Sequence, residues 1–341
     1  MISHLKRMNV FKITEVRNIS GLLVFCFLIQ SVAADNNIWF SNKPPADDKK
    51  SAPSGMHGLS SIKGKRGKSS VVQWLRQGTH PITSNYIQVS DTGNFEFYFY
   101  SPAGQKAEGQ FLTIGQSSIL TYPSNEEGYY NAYLILKQVS NDTLYVNIAK
   151  AEMLNHSCRN GHKNVRKKIG PNVFPETIPT EIVRKRNSSE NFHYFASSGD
   201  KIDYQFLLDG KPVENARLSF NTQTGWQKIL FTDESGISTF QILQDYFSSW
   251  QELNNRKVYD YVIFGEITLP ETGNYNGEDY SFIHYTTSLS DGYRPARTMY
   301  MSMFWASVVF MITVIISVTG IFIYKLNRNK IYKEVRFDEK D

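Results

Sequence analysis

Between Arg297 and Lys325 the sequence carries no charged side chain, and Met, Phe, Val and Ile dominate it. A run of this length and polarity has one stable home. In hydrocarbon every backbone N–H and C=O must be satisfied inside the segment, which leaves an α-helix, and about 20 apolar residues cross a core of about 30 Å. Residues 298–324 are therefore read as a transmembrane helix. Tyr300 and Trp305 mark one interface and Tyr324 the other, and Lys325, Arg328, Lys330 and Lys333 follow at once. That basic cluster puts residues 325–341 in the cytoplasm as a short tail. Residues 310–319 hold no acid, base or histidine, so the helix reads as an anchor and not as an ion path.

The other end of the chain agrees. Lys6, Arg7, Lys12 and Arg17 precede an apolar run over 19–29, and small residues at Val32 and Ala34 fit a signal peptidase. Residues 1–34 read as a signal peptide, with an uncleaved anchor as the alternative. Export plus one span predicts a single-pass type I protein of the inner (plasma) membrane, with its bulk periplasmic or extracellular.

With 341 residues, 41% hydrophobic and 14% aromatic, the chain has material for about two packed domains, and its Tyr and Phe content favours strands. The net charge of +5 is segregated into the leader, two linkers and the tail. A nucleic-acid binder would carry that charge on its folded surface, so no nucleic-acid partner is expected. Residues 35–70 are rich in Lys, Pro, Ser and Gly and read as a disordered linker. The run GKRGKS over 64–69 approaches a phosphate-binding loop, but Ile62 stands where its first glycine belongs.

The expected fold class is mainly β: two extracytoplasmic β-sandwiches, Ig- or transthyretin-like, plus the C-terminal helix. The first sandwich covers 71–158. Phe95, Phe97 and Phe99 alternate with Glu96, Tyr98 and Tyr100, and turns are expected at 101–104 and at Ser140-Asn141-Asp142. The phenylalanine stripe reads as core, with a ligand groove as the alternative. Residues 159–190 read as a basic, proline-containing linker, in which Arg166-Lys167-Lys168 and Arg184-Lys185-Arg186 bracket the segment from Pro171 to Pro179. The second sandwich covers 191–297. Ile202, Tyr204, Phe206 and Leu208 alternate up to a turn at Asp209-Gly210, strands follow near 216–220, 237–243, 259–268 and 280–288, and 270–277 reads as a long turn.

Within this second unit Asp209-Gly210-Lys211-Pro212-Val213 with Ala216, then Thr232-Asp233-Glu234-Ser235-Gly236 and Phe240, resembles the carboxypeptidase-regulatory or transthyretin-like sandwich. It is similar in particular to the version in periplasmic accessory proteins of nickel and cobalt uptake. The resemblance covers about a third of the chain. It implies the sandwich fold and a non-enzymatic role beside a transporter subunit or another envelope protein.

One stretch suggests chemistry. Once the leader is removed, Cys158 is the only cysteine, and His156 and His162 flank it as H-x-C-x3-H with Met153 nearby. Imidazole, thiolate and thioether suit copper, nickel or zinc, which makes His156, Cys158 and His162 the candidate metal ligands. Three other readings stand beside it: a buried thiol with solvated histidines, an intermolecular disulfide through Cys158, and a glycosylation sequon at Asn155. His193 and His284 read as packing residues, and Trp226 and Trp250 as buried rings, with stacking faces for a sugar or peptide as the alternative. No catalytic arrangement is expected. Ser198 to Lys201 matches S-x-x-K but opens a strand where that motif needs a helix. Two functions remain: an accessory protein of metal uptake or homeostasis, or a structural and interaction protein of an envelope complex without metal.

Overall fold

The computed structural model describes residues 37–45, 61–63, 69–92, 95–123, 126–155, 173–187, 190, 194–243 and 257–328. They make a β body that ends at Arg294 and, as a separate unit, one apolar helix. The signal-peptide reading, most of the 325–341 tail, His193 and Trp250 lie outside the described residues.

Three sheets build the body. Sheet A contains β1 (Ile38–Ser41), β2 (Ser61–Lys63), β3 (Ser69–Gln77) and β4 (Asn85–Tyr86), with β6 (Gln110–Ile114) and β7 (Ser117–Pro123). Its spine runs β1-β3-β7-β6. Sheet B takes β5 (Phe95–Tyr100), β8 (Gly128–Ser140) and β9 (Thr143–Asn155) from the first half of the chain. From the second half it takes β11 (Ala196–Ser197), β14 (Arg217–Thr222), β15 (Gln227–Phe231), β17 (Tyr259–Tyr275) and β18 (Glu278–Arg294). Sheet C is β10 (Thr180–Lys185), β12 (Lys201–Leu208), β13 (Lys211–Pro212) and β16 (Ile237–Gln241).

The mainly-β expectation holds, but the two halves are not strung on a linker. Strand order in sheet B is β15-β14-β17-β18-β9-β8-β5, and the halves meet where β9 and β18 run parallel from Thr143↔Phe282 to Lys150↔Leu289. Period-2 alternation then sends side chains to opposite faces. Ala149, Ala151 and Met153 of β9 join Leu75, Leu120 and Tyr122 of sheet A in one core. Ile263 and Leu289 join Tyr204 and Phe206 of sheet C in another. Sheets A and C thus cover opposite faces of one shared sheet. Each fully buried Leu, Ile or Phe in these cores contributes about 1.5–3 kcal/mol.

Local chemistry explains the turns. Asn141-Asp142 between β8 and β9 has φ of 49° and 61°, and Asn276-Gly277 between β17 and β18 has 53° and 88°. Two successive positive φ values give a two-residue hairpin whose twist matches its strands. The stretch 270–277, expected as a long turn, is instead strand up to this Asn-Gly pair, with a register shift between Pro270 and Gly273. Asp209-Gly210 turns as expected, with φ of 48° and 73°. At 232–236 Asp233 Oδ1 accepts from the backbone N–H of Ser235 and of Ile237, both at 2.9 Å. Gly265 of β17 admits sheet C: a Cβ there would lie 2.5 Å from the Phe206 ring.

Two segments expected to be linkers are structural. Ile38–Ser41, inside the 35–70 stretch, is a buried strand. It pairs with β3, while Ser288 Oγ donates to Ile38 O at 2.7 Å and Ser290 Oγ donates to Phe40 O. Trp39 is fully buried and packs on Val262 and Phe264. Four residues are too few to show alternation, and the polar stretch after them hid the strand. Likewise Thr180–Lys185, inside the 159–190 stretch, pairs along its whole length with β12 from Leu208 back to Asp203.

The phenylalanine stripe is core at one end only. Phe99 is buried against Tyr122 and Tyr130, with centroids 4.8 and 5.6 Å away, whereas Phe95 is 42% exposed at the rim. The helix α1 (Arg297–Arg328) contains Met301–Arg328, a candidate membrane span of mean hydropathy 2.5. The hydroxyls of Ser307, Thr313, Ser317 and Thr319 bond back one turn, as Thr313 Oγ1 does to Val309 O at 2.9 Å, which satisfies these donors in an apolar surround.

Candidate functional site: a charged cleft where the two halves meet

Residues 149–153 read Ala-Lys-Ala-Glu-Met in the middle of β9. On a strand, Lys150 and Glu152 share a face, and that face turns toward sheet C. Lys150 is 1% exposed. Its Nζ donates to Glu181 Oε1 and to Ile182 O, both at 2.8 Å, and pairs with Glu152 Oε1 at 3.1 Å. Tyr133 OH donates to the same Glu181 oxygen at 2.5 Å. Beyond it, Arg186 donates to Glu152 Oε2 at 2.5 Å and lies over the Tyr129 ring at 4.0 Å. Arg184 donates to Glu190 Oε2 at 3.1 Å, approaches Asp291 Oδ2 at 3.7 Å and lies over Tyr194 at 5.2 Å.

These groups border a cleft of about 130 Å³ at the ends of β9, β10 and β18. Tyr129, Tyr194 and Phe195 bring rings to it, Arg184, Arg186, Glu152, Asp260 and Asp291 bring charge, and Ser41, Gln73 and Ser290 bring neutral polar groups. On the side next to β1, Lys43 Nζ is held by Asp260 Oδ1 at 2.9 Å, Gln223 Oε1 at 3.0 Å and Val258 O at 3.1 Å. Arg76 lies between Trp39 and Tyr86, 4.7 Å from each ring.

Burial and pairing compete at each charge. Burial alone would raise the Glu152 carboxyl, but Arg186 and Lys150 outweigh it and hold the pKa at about 2. Burial alone would lower Lys150, but Glu181 and Glu152 outweigh it and keep the ammonium charged. At Asp260 burial wins over Lys43, and the pKa is raised. Tyr194 is pushed up to about 12 by burial and by its bond to Asp200, whose Oδ2 accepts from the phenol at 2.9 Å. Lys150 and Glu152 are thus held as ions by their partners, which suits a fixed binding surface.

Arg184 and Arg186, expected in a solvated basic connector, are ion-paired, with side chains 8% exposed. Arg-Lys-Arg inside a β strand and just past it alternates, so its first and third members share the inward face. The signal that could have found the site was Lys150 and Glu152, opposite charges two apart within the otherwise apolar Ile148 to Met153 run.

His156, Cys158 and His162 lie outside the described residues, and β9 ends at Asn155, just before them. Met153, the expected neighbouring thioether, is fully buried in the core against sheet A. Among the described residues no group of three or more His, Cys, Asp or Glu is arranged to hold a metal ion. His284 shares a 2.8 Å hydrogen bond with Thr268 Oγ1 and packs beside Tyr145, and burial lowers its pKa. Trp226 is partly buried against Phe220. Ser198 Oγ donates to Arg294 O at 3.3 Å.

No family model and no curated protein matches this sequence. Among solved structures, the D0-D1 domain of Intimin aligns with 67% of this chain and 91% of its own, at 10% sequence identity and a TM-score of 0.19. That score is too low to assign a shared fold.

Proposed function

We propose that this chain is a membrane-anchored, non-enzymatic recognition protein of the cell envelope. Its β body would stand on the outer side of the inner (plasma) membrane and engage a neighbouring envelope component through the cleft between its two halves. The observation that carries this reading is the cleft itself. Most of its charges are paired across the shared sheet, and aromatic rings border it. Such a surface is preorganised to bind. The uncharged helix supports the tether, and the leader and the basic tail support the orientation. The metal-uptake reading draws nothing from this cleft. It rests on the sequence resemblance and on His156, Cys158 and His162, and is not adopted.

The test is a photoreactive phenylalanine analogue at Tyr194 in living cells, with the same probe at the remote, 67% exposed Ile82 as control. Illumination is expected to give a discrete adduct with an envelope component from position 194 alone, and protease added to spheroplasts is expected to digest the β body. Matching adduct patterns from both positions, or a protected body, would sink the reading.

A further inference from the structure

We propose that the cleft takes a saccharide, a neutral polyhydroxylated ring, and not an ion of either sign; this names the ligand class of the recognition site and rests on that reading. The fixed pairs argue first. An incoming anion would have to draw Arg186 from Glu152 at 2.5 Å or Arg184 from Glu190 at 3.1 Å. An incoming cation would have to draw Asp260 from Lys43 at 2.9 Å, or at the half-exposed Asp291 would meet the positive charge of Arg184, 3.7 Å away. Each exchange leaves a buried charge behind, and removing one partner of a buried pair costs about 3–5 kcal/mol.

A hydroxyl asks for neither exchange, because it donates to a carboxylate and accepts from a guanidinium that stay paired with each other. Asp291 offers such a carboxylate. Its side chain is 44% exposed, its Arg184 contact of 3.7 Å is beyond hydrogen-bond range, and Oδ1 already accepts from the Gly292 N–H at 2.7 Å. Beside it Arg184 and Arg186 line the same cleft, their guanidinium groups paired with Glu190 and Glu152. The rings complete the match. Tyr194 is 36% exposed and fixed through its phenol to Asp200, so it presents a flat apolar face to the C–H face of a sugar ring.

Full-length protein held in an amphipathic polymer free of sugar headgroups is probed by saturation-transfer NMR with chitotriose, maltotriose and cellotriose, at low and at high salt. At least one trisaccharide should receive saturation, with an affinity that salt changes by less than about twofold because no net charge is neutralised. Tyr194→Ala should weaken binding roughly tenfold through the lost stacking face. Asp291→Asn, which keeps the oxygen that accepts from Gly292, should weaken it to a similar degree while leaving thermal unfolding unchanged. The proposal is overturned if none of the three sugars receives saturation, or if both variants bind as the parent does. It is also overturned if a glutamate hexapeptide binds in a salt-sensitive way that the same variants abolish. A surviving Tyr194 adduct without sugar binding would remove the saccharide and leave the recognition role; loss of both would remove both.

Discussion

Sheet B carries ion pairs of two kinds. At its centre Lys150, Glu152, Glu181 and Arg186 sit between sheets, with Lys150 and Glu181 side chains 1% and 2% exposed. Toward its edges Arg217–Glu266 and Lys137–Glu96 link neighbouring strands, with exposures of 38% and 21% and of 29% and 43%. The chemistry is the same and the consequence differs. At the edges water already solvates each ion, so a pair is worth about 0–1 kcal/mol. At the centre solvation is gone, each ion depends on its partners, and the network specifies one register of sheet C over sheet B. We place the recognition cleft beside the central network because only there is charge held still.

The widest separation is expected from Lys150→Met. Glu181 and Glu152 would lose their shared cation, and urea unfolding should report a loss of about 3–5 kcal/mol, part of it recovered by adding Glu181→Leu. A loss below about 1 kcal/mol would erase the distinction between centre and edge.

Acid comes next. The folded pKa of Glu152, about 2, lies below the unfolded value near 4.5. Its contribution is therefore full above 4.5 and is lost as pH falls toward 2. The shift corresponds to about 3 kcal/mol. Parent and Glu152→Gln unfolding curves should differ most near neutrality and converge only as pH falls to about 2 and below. Parallel curves across that range would place the carboxyl outside the network.

The smallest effect belongs to the edge. A double-mutant cycle on Arg217→Ala and Glu266→Ala should give a coupling below about 1 kcal/mol that fades with added salt. A coupling of 3 kcal/mol or more, the scale of a buried pair, would mean that the rim of the sheet is as dry as its middle.

Much of the fold was legible because its signals are local. Ile202, Tyr204 and Phe206 alternate as half-buried strands do, Asp209-Gly210 turns where it should, and the uncharged run near the C-terminus is a helix. What escaped was long-range. The parallel pairing of β9 with β18 joins Thr143 to Phe282 with no turn between them to announce it. The cleft escaped for a related reason. Lys43, Arg184 and Arg186 stand in segments whose composition looks solvated, and only partners far along the chain, such as Glu152 and Asp260, turn those segments inward. The transthyretin-like resemblance located true turns, while His156, Cys158 and His162, singled out by their spacing, lie outside the described residues.

Strand β1 carries a last consequence. The hydroxyls that grip its carbonyls come from Ser288 and Ser290, 250 residues later in the chain. During synthesis the first strand must therefore wait, its greasy tryptophan uncovered, until residue 290 has emerged. The apolar helix begins at Arg297, only seven positions after the second of those serines. The last grip on the first strand and the start of the candidate membrane span thus leave the ribosome almost together.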